Sequence, residues 1–288
     1  MQHRPVNRME NPNADRVKRV AQLAGRSAVR ARRKQFMVEG PQSVGEALRA
    51  HLGLLNLSVE AAQFWPTQAT VTEVYYTSRL ASIEPELFAL VGRLDPNVFV
   101  AETSDTVLQA MSDAVAHQNI IAVANLPDVD IALPHEALLV AGLIRVQDPG
   151  NAGTIIRTAD ASGGACVIAT PHTVDVYNPK TVRSTAGSLF HLPIYTHVEL
   201  PDFKTTYRGQ IFAADGYGEV ALESLPVGKL SQPTAWLFGN EARGLSAPEL
   251  ELADARVAVP LYGLAESLNV ATAATVCLYA SAMAQHKG

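Results

Sequence analysis

A chain of 288 residues, 48% hydrophobic and 18% charged, reads as a soluble protein with a substantial core, and its length suits two domains better than one. Its net charge of -5 excludes a simple polycationic nucleic-acid sponge. Two cysteines, Cys166 and Cys277, lie far apart in apolar runs, which excludes a disulfide framework and a zinc spacing and leaves two small buried hydrophobes.

Residues 1–12, with Pro5, Asn11 and Pro12, read as a flexible tail without the apolar core of a signal peptide. Asn13 is placed to cap a helix over ADRVKRVAQLAG, closed by Gly25. Charge then concentrates: Arg16, Lys18, Arg19, Arg26, Arg30, Arg32, Arg33 and Lys34 face only Asp15 and Glu39. Such a cluster either meets phosphates, ordering as it binds, or is a solvated helical face. QFMVEG is a strand ended by Gly40, and Pro41 suits the first turn of the helix PQSVGEALRAH. TEVYYTS, NVFVAET and HQNIIAVANL are strand-like, with EPELFALV and SDTVLQAMS helical between them. NLPDVDIALPHE, with two prolines and three acidic residues, is the linker candidate. The expected organisation is therefore a domain over 13–125, a linker over 126–136 and a second domain over 137–288.

Beyond the linker the rhythm is regular. ALLVAGLI, ACVIAT, QIFAAD, TAWLFG and ARVAVP are apolar strands, and NAGTIIRTADASGG is a helix stopped by glycines. In YNPKTVRSTAGS, Asn178 is placed as an N-cap with Pro179 at the first helical position; Pro248 lies just inside a further helix start. A long helix runs from about Ser267. Strands alternating with helices predict an α/β fold with a parallel sheet covered on both faces. The most apolar segment, Leu268 to Ala284, is shorter than the ~20 residues a membrane span needs, so no membrane association and a cytoplasmic protein are expected.

Three loops leaving strand ends carry the unusual chemistry: RVQDPGNAG after ALLVAGLI, GNEARGLS after TAWLF, and LYGLAESLN after ARVAVP. Open parallel sheets bind ligands at such ends. None of the loops is a G-x-G-x-x-G or G-x-x-x-x-G-K-[ST] phosphate cradle, and no H-E-x-x-H or C-x-x-C provides a metal site. Ser267 lacks the elbow of an acyl-transfer serine, although His191 and His197 exist as bases, and His191 is assigned no catalytic role.

NAGTIIRTADASGG, YNPKTVRSTAGSLFHLP, LFGNEARGLS and VPLYGLAESLNVATAATVCLY, in this order over about residues 138–285, resemble the motifs of the SpoU-like ribose methyltransferases of the SPOUT class. RRKQFMVEGPQSVGEAL resembles the ribosomal-protein-like α/β RNA-binding domain that often precedes that domain. One departure is visible: the family's G-N-E-G-x-G reads Gly239-Asn240-Glu241-Ala242-Arg243-Gly244 here, which raises the question of the loop's shape beside Glu241.

The resemblance implies a C-terminal parallel-sheet SPOUT domain tied in a trefoil knot, S-adenosylmethionine as cofactor, no metal, and a homodimer formed through that domain. It implies cofactor binding by backbone groups at Phe238, Gly239, Asn240, Val259, Leu261 and Leu268, and a catalytic set of Asn151, Arg157, Glu241, Ser267 and Asn269. Arg157 is the family's catalytic arginine. Because a guanidinium stays protonated, the role expected of it is to hold a phosphate or the developing oxyanion. An ion pair with Glu241 or Asp160 is the alternative, and the two are compatible. Asn151 orients the arginine or the RNA backbone; Ser267 and Asn269 either bind polar groups of substrate or cofactor or cap the last helix; Glu241 is a site carboxylate or a solvated loop acid. Arg26, Arg30, Arg32, Arg33 and Lys34 are the expected RNA contacts. The implied reaction is methylation of a ribose 2′-hydroxyl in RNA, with 23S ribosomal RNA favoured. Transfer RNA as substrate and a non-catalytic RNA-binding protein of the same fold are the alternatives, as is the same chemistry serving antibiotic resistance.

Overall fold

A computed structural model describes residues 7–127, 133 and 135–287. Packing divides the chain into one unit of Met1–Asp128 with Tyr177–His191 and a second of Val129–Val176 with Leu192–Gly288. Residues 1–6 of the expected tail and 128–132 and 134 of the expected linker lie outside the described residues.

The first unit is built on a mixed sheet of β1 (Asn7–Met9), β2 (Gln35–Glu39), β3 (Val71–Thr77), β4 (Phe99–Thr103) and β5 (Ile120–Asn125), in the order β1-β4-β3-β5-β2. β1 and β3 run parallel to β4, whereas β5 is antiparallel to β2 and β3. Part of the stretch expected as a tail is thus an edge strand, held by Asn7↔Ala101 to Met9↔Thr103 pairing. Around the sheet lie α1 (Asp15–Gly25), α2 (Ser27–Arg33), α3 (Pro41–His51), α4 (Val59–Phe64), α5 (Leu80–Ile83), α6 (Pro85–Val91) and α7 (Asp105–Met111). Val17, Val20 and Leu23 of α1 recur at helical spacing and are buried with Val107, Leu108 and Met111 of α7.

Two expectations for this region need correction. Asn13 does not cap α1: the N-cap is Ala14 without a side-chain bond, and the Asn13 amide donates to Asn11 Oδ1 at 2.9 Å. The basic stretch is itself a helix, α2, rather than a segment awaiting a partner, because Val29 and the stem of Arg30 are buried beneath it.

In the second unit, β6 (Leu139–Leu143), β7 (Cys166–Ala169), β8 (Ile194–Thr196), β9 (Gln210–Ala214), β10 (Val220–Ala221), β11 (Thr234–Phe238) and β12 (Ala255–Ala258) form one sheet ordered β10-β12-β9-β11-β6-β7-β8. Every pairing in it is parallel. β6, β7 and β11 are buried at every position, which is why their sequences are continuous apolar runs without alternation. α8 (Pro149–Ala161) follows β6, and α9 (Pro179–Ser184) lies in the segment that packs with the first unit, where Tyr177 and Phe190 meet Phe36 and Phe190 also meets Trp65. α10 (Leu200–Thr206), α11 (Val227–Leu230), α12 (Ala247–Glu251) and α13 (Val270–Gln285) complete the second unit. α13 packs on α8, β6 and β11, and Trp236 Nε1 on β11 donates to its Ser281 Oγ at 2.9 Å in the core. Cys166 and Cys277 are free and buried, and burial pushes the Cys277 thiol up to about 12. No helix among the described residues is long and apolar enough to cross a membrane.

Candidate active site

The chain runs outward from β6 through β7 to β8, then returns to place β9 and β11 on the other side of β6. The crevice of such a sheet lies at the carboxyl ends where the strand order reverses. The first motif loop leaves β6 there, the second leaves the adjacent β11, and the third leaves β12 beyond β9.

Each loop enters its following helix through a side-chain cap. Asp148 precedes Pro149 at the start of α8, and its Oδ1 accepts from Asn151 N at 2.9 Å. Ser246 and Glu249 form a capping box on α12. Asn269 caps α13, its Oδ1 accepting from Ala271 N at 2.9 Å and Thr272 N at 3.3 Å. That fixes the long helix's start at Val270, three residues after the expected Ser267.

The caps are joined into one network. Glu241 Oε1 accepts from Asp148 N at 3.0 Å and from Asn151 Nδ2 at 3.1 Å, while Oε2 accepts from Gln147 N at 3.1 Å. Asn151 Oδ1 in turn accepts from Asn269 Nδ2 at 3.0 Å. The orientation of both amides follows from this chain. A carboxylate only accepts, so Asn151 must turn its NH2 to Glu241 and its oxygen to Asn269. The Asn269 oxygen is committed to the helix N–H groups, so its NH2 must face Asn151. Three of the five expected catalytic residues are therefore hydrogen-bonded together, one from each loop.

The same network brings the N-terminal ends of α8 and α13 side by side, each carrying the positive end of a helix dipole. Glu241 and the N-cap Asp148 are the nearby negative charges. Burial works to raise the pKa of Glu241, but the hydrogen bonds from Asp148 N, Asn151 and Gln147 N outweigh burial and hold the carboxyl below the ordinary glutamate range.

Arg157 and Ser267 stand apart from the network. Arg157 is exposed on α8 and forms no ion pair with Glu241, whose oxygens are taken by the donors above. Ile155 and Ile156, both fully buried, fix the helix that carries it. Ser267 is exposed and does not cap α13.

The expected cofactor positions fall on two loops. Phe238 ends β11 in the core, its carbonyl accepting from Ile144 N at 2.9 Å. A side chain at Gly239 would put a Cβ 2.5 Å from Gly244 C and 2.7 Å from Leu245 N, so only glycine lets the second loop fold back on itself. Asn240 braces that loop: its Oδ1 accepts from Ala242 N and Arg243 N at 3.1 Å, and its Nδ2 donates to Arg145 O at 3.0 Å. Val259 is partly exposed, Leu261 and Leu268 more so. Among the described residues, no backbone–backbone hydrogen bond outside regular structure involves residues 261–268. The third loop thus offers uncommitted N–H and C=O groups beside apolar side chains. No group of three metal-ligating side chains occurs among the described residues.

The backbone answers the question raised by Ala242. The left-handed residue of the second loop is Gly244, at φ +63°, and Ala242 is not among the positive-φ positions. Ala242→Gly should therefore give no gain in activity and should change stability by no more than about 1 kcal/mol, with any change a loss, as an added glycine loosens the unfolded chain. Thermal unfolding and a rate assay check this.

Three residues of the site were not singled out from the sequence: Arg145, Asp148 and Glu249. Asp148 and Glu249 carried a readable signal, an acid before Pro149 and the Ser246–Glu249 spacing.

A family model described as the SpoU rRNA Methylase family matches residues 138–279. The chain is 38% identical over 178 residues to a 23S rRNA (guanosine(2553)-2′-O)-methyltransferase of Bacillus subtilis (strain 168), an overlap of 61% of this chain and 69% of that protein. It is 33% identical over 239 residues to a 23S rRNA (uridine(2479)-2′-O)-methyltransferase of Streptomyces viridochromogenes, 79% of this chain and 80% of that one. Among solved structures, the SpoU methyltransferase AviRb from Streptomyces viridochromogenes, in complex with AdoMet, superposes with a TM-score of 0.78 at 28% identity, covering 96% of this chain and 100% of that one. An AdoMet-bound rRNA methyltransferase from Sinorhizobium meliloti gives 0.76 at 28% identity, covering 96% and 97%.

Proposed function

The chain belongs to the SpoU rRNA methylase family, and from that premise we propose that it transfers a methyl group from S-adenosylmethionine to a ribose 2′-hydroxyl of 23S ribosomal RNA. The observation that carries the reading is the Glu241–Asn151–Asn269 network, which ties all three motif loops together at the carboxyl edge of the second sheet.

In this reading the backbone of Phe238–Asn240 and of Val259, Leu261 and Leu268 holds the cofactor, and bound S-adenosylmethionine supplies the electrophilic methyl. The residues of the chain do the rest. A ribose hydroxyl is a weak nucleophile until its proton leaves or its developing charge is met. Arg157, exposed and held by the buried Ile155 and Ile156, presents a planar cation to the 3′- or 5′-phosphate or to the oxyanion itself, while the hydroxyl proton passes to that phosphate or to water. Asn151 keeps the α8 entrance in register with both other loops, and Ser267, exposed beside Asn269, is left to bind a polar group of the substrate.

The first unit is the RNA-docking part of the proposal. Its support is an exposed basic group at Arg26, Arg32, Arg33 and Lys34. Arg30 acts differently. It is only 3% exposed, and its Nη1 donates to Leu23 O at 2.7 Å and Ala24 O at 3.2 Å, closing the end of α1. Replacing Arg32 and Arg33 with glutamate should weaken RNA binding and lower the slope of log K against log salt by about 2. Arg30→Ala should instead cost about 1–3 kcal/mol of stability and leave that slope unchanged. Titrations at several salt concentrations, with thermal unfolding alongside, separate the two.

A trefoil knot in the second unit, a homodimer through it and a cytoplasmic location complete the reading. The exposed Val276, Tyr279 and Met283, on one side of α13, support a second copy as the cover of that face.

Labelled methyl transfer to separately supplied ribosomal and transfer RNA tests the substrate. Label in ribosomal RNA is the expected result; label in transfer RNA alone would overturn the substrate, and cofactor binding without transfer to free or ribosome-assembled RNA would overturn the reaction.

A further inference from the structure

Arg145 occupies a backbone position that most side chains avoid. It follows β6 in the left-handed region, at φ +56°, where glycine is free and a Cβ is crowded. A long charged residue at such a place points to a role for the side chain. The guanidinium meets Glu249 in a fork, Nε donating to Oε1 at 2.8 Å and Nη2 to Oε2 at 2.6 Å, with a further Nη2 contact to Gly244 O at 3.4 Å. The Arg145 side chain is 27% exposed and that of Glu249 16%, so the pair is shielded from much of the competing water. Glu249 Oε2 also accepts from Ser246 N at 2.6 Å, so one carboxylate both caps α12 and receives the arginine.

The main chain of Arg145 grips the other end of the same loop. Its carbonyl accepts from Asn240 Nδ2 at 3.0 Å. Its N–H is anchored in turn to the loop after β7, facing Thr170 Oγ1 at 3.1 Å and Thr173 Oγ1 at 3.2 Å. One residue therefore holds the second motif loop at Asn240 through its backbone and at Gly244 and Glu249 through its side chain. Resting on the cofactor reading above, we infer that Arg145, with Glu249, is a positioning residue that keeps the loop from Gly239 to Glu249 in the shape that binds S-adenosylmethionine. A loop that recognises its ligand by backbone groups has no side chain to compensate for a shift, so a bracing residue outside the ligand contact governs affinity.

The backbone strain supplies a test that separates positioning from stability. Arg145→Gly removes the guanidinium but relieves the left-handed position, which offsets part of the lost pair, so the full-length variant should unfold within a few degrees of the wild type. Its Kd for S-adenosylmethionine, measured by calorimetric titration, should rise about tenfold or more, the loss expected for a shielded charge-assisted pair. Arg145→Lys, with a point charge in place of a planar fork, should fall between. RNA affinity measured without cofactor should not change in either. Should Arg145→Gly fail to fold, Glu249→Gln, which keeps an acceptor for the α12 cap, gives the same reading. An unchanged Kd in the folded variants overturns the inference, as does a Kd that rises only in step with a falling unfolding temperature. Failure of the wild-type chain to bind S-adenosylmethionine would overturn the cofactor reading instead.

Discussion

Arg157→Ala should lower kcat for methyl transfer by about 10²- to 10³-fold, the range seen when a preorganised group facing developing charge is removed. The same variant should bind S-adenosylmethionine within about twofold of wild type and unfold within about 0.5 kcal/mol of it, as an exposed substitution does. Both expectations follow from the geometry. The arginine lies on a helix fixed by Ile155, Ile156 and Thr158, but its own side chain points away from that core and has no part in the Glu241 network. Arg157→Lys separates two roles. A point charge suffices for general attraction to RNA, whereas a bidentate hold on a phosphate needs the planar fork. A lysine variant at wild-type rate would rule out the fork; a loss close to that of alanine supports it. Single-turnover rates at saturating RNA keep the chemical step distinct from binding.

Glu241→Ala should have the second largest effect, because the carboxylate gathers three donors from the first loop and reaches the third through Asn151. Its removal leaves Gln147 N, Asp148 N and Asn151 Nδ2 without their acceptor, and frees Asn151 from the orientation that it passes to Asn269. A loss of about 10²-fold in kcat/KM is expected, from misplacement of the first and third loops together. The pH dependence has a definite sign. The folded-state pKa of Glu241 is depressed below the ordinary value of 4.5, so its contribution is complete above that value and disappears as pH falls through the lowered one. Wild-type stability should therefore decline on acidification below about pH 4.5, and Glu241→Gln should flatten that part of the curve. Unfolding followed across pH 3 to 7 for the two proteins measures it; superimposable curves would exclude Glu241 as a contributor.

How much of this was legible in the residues depends on the distance along the chain over which each signal acts. In the second sheet β6, β7, β9, β11 and β12 were legible, the first two and β11 because burial on both faces leaves continuous apolar runs; β8 and β10, of three and two residues, leave no such run and were missed. Asn178 read as a cap, and for Asn269 a cap was one of two readings, because a cap acts within three residues, although the same signal misled at Asn13 and Ser267. α2 was not legible, since Val29 is its only large apolar residue and gives no periodicity. The charge run around it concealed two different fates: Arg16 and Arg19 reach Glu73 on β3, and Arg30 turns inward, while Arg32, Arg33 and Lys34 stay in solvent. Nothing local marks which guanidinium finds a partner 54 residues away.

The site shows the same division. Asn151, Glu241 and Asn269 could be chosen from motif order, but not the fact that each orients the next. Arg145 was invisible because its partner, Glu249, lies 104 residues further on, and because a left-handed backbone leaves no trace in an arginine. The grouping of Tyr177–His191 with the first unit was equally hidden. Its reason is spatial: Tyr177 and Phe190 find their aromatic neighbours in Phe36 and Trp65, and Arg183 finds the buried carboxylate of Glu39 at 2.9 Å.

The most direct measurement follows where the methyl group goes. The wild-type chain would be incubated with methyl-labelled S-adenosylmethionine and 23S ribosomal RNA, and the RNA digested to nucleosides and separated. Label in a 2′-O-methyl nucleoside, with none above background for Arg157→Ala over the same time, is the predicted result. Label in base-methylated nucleosides, or equal ribose methylation by the two proteins, would contradict the account.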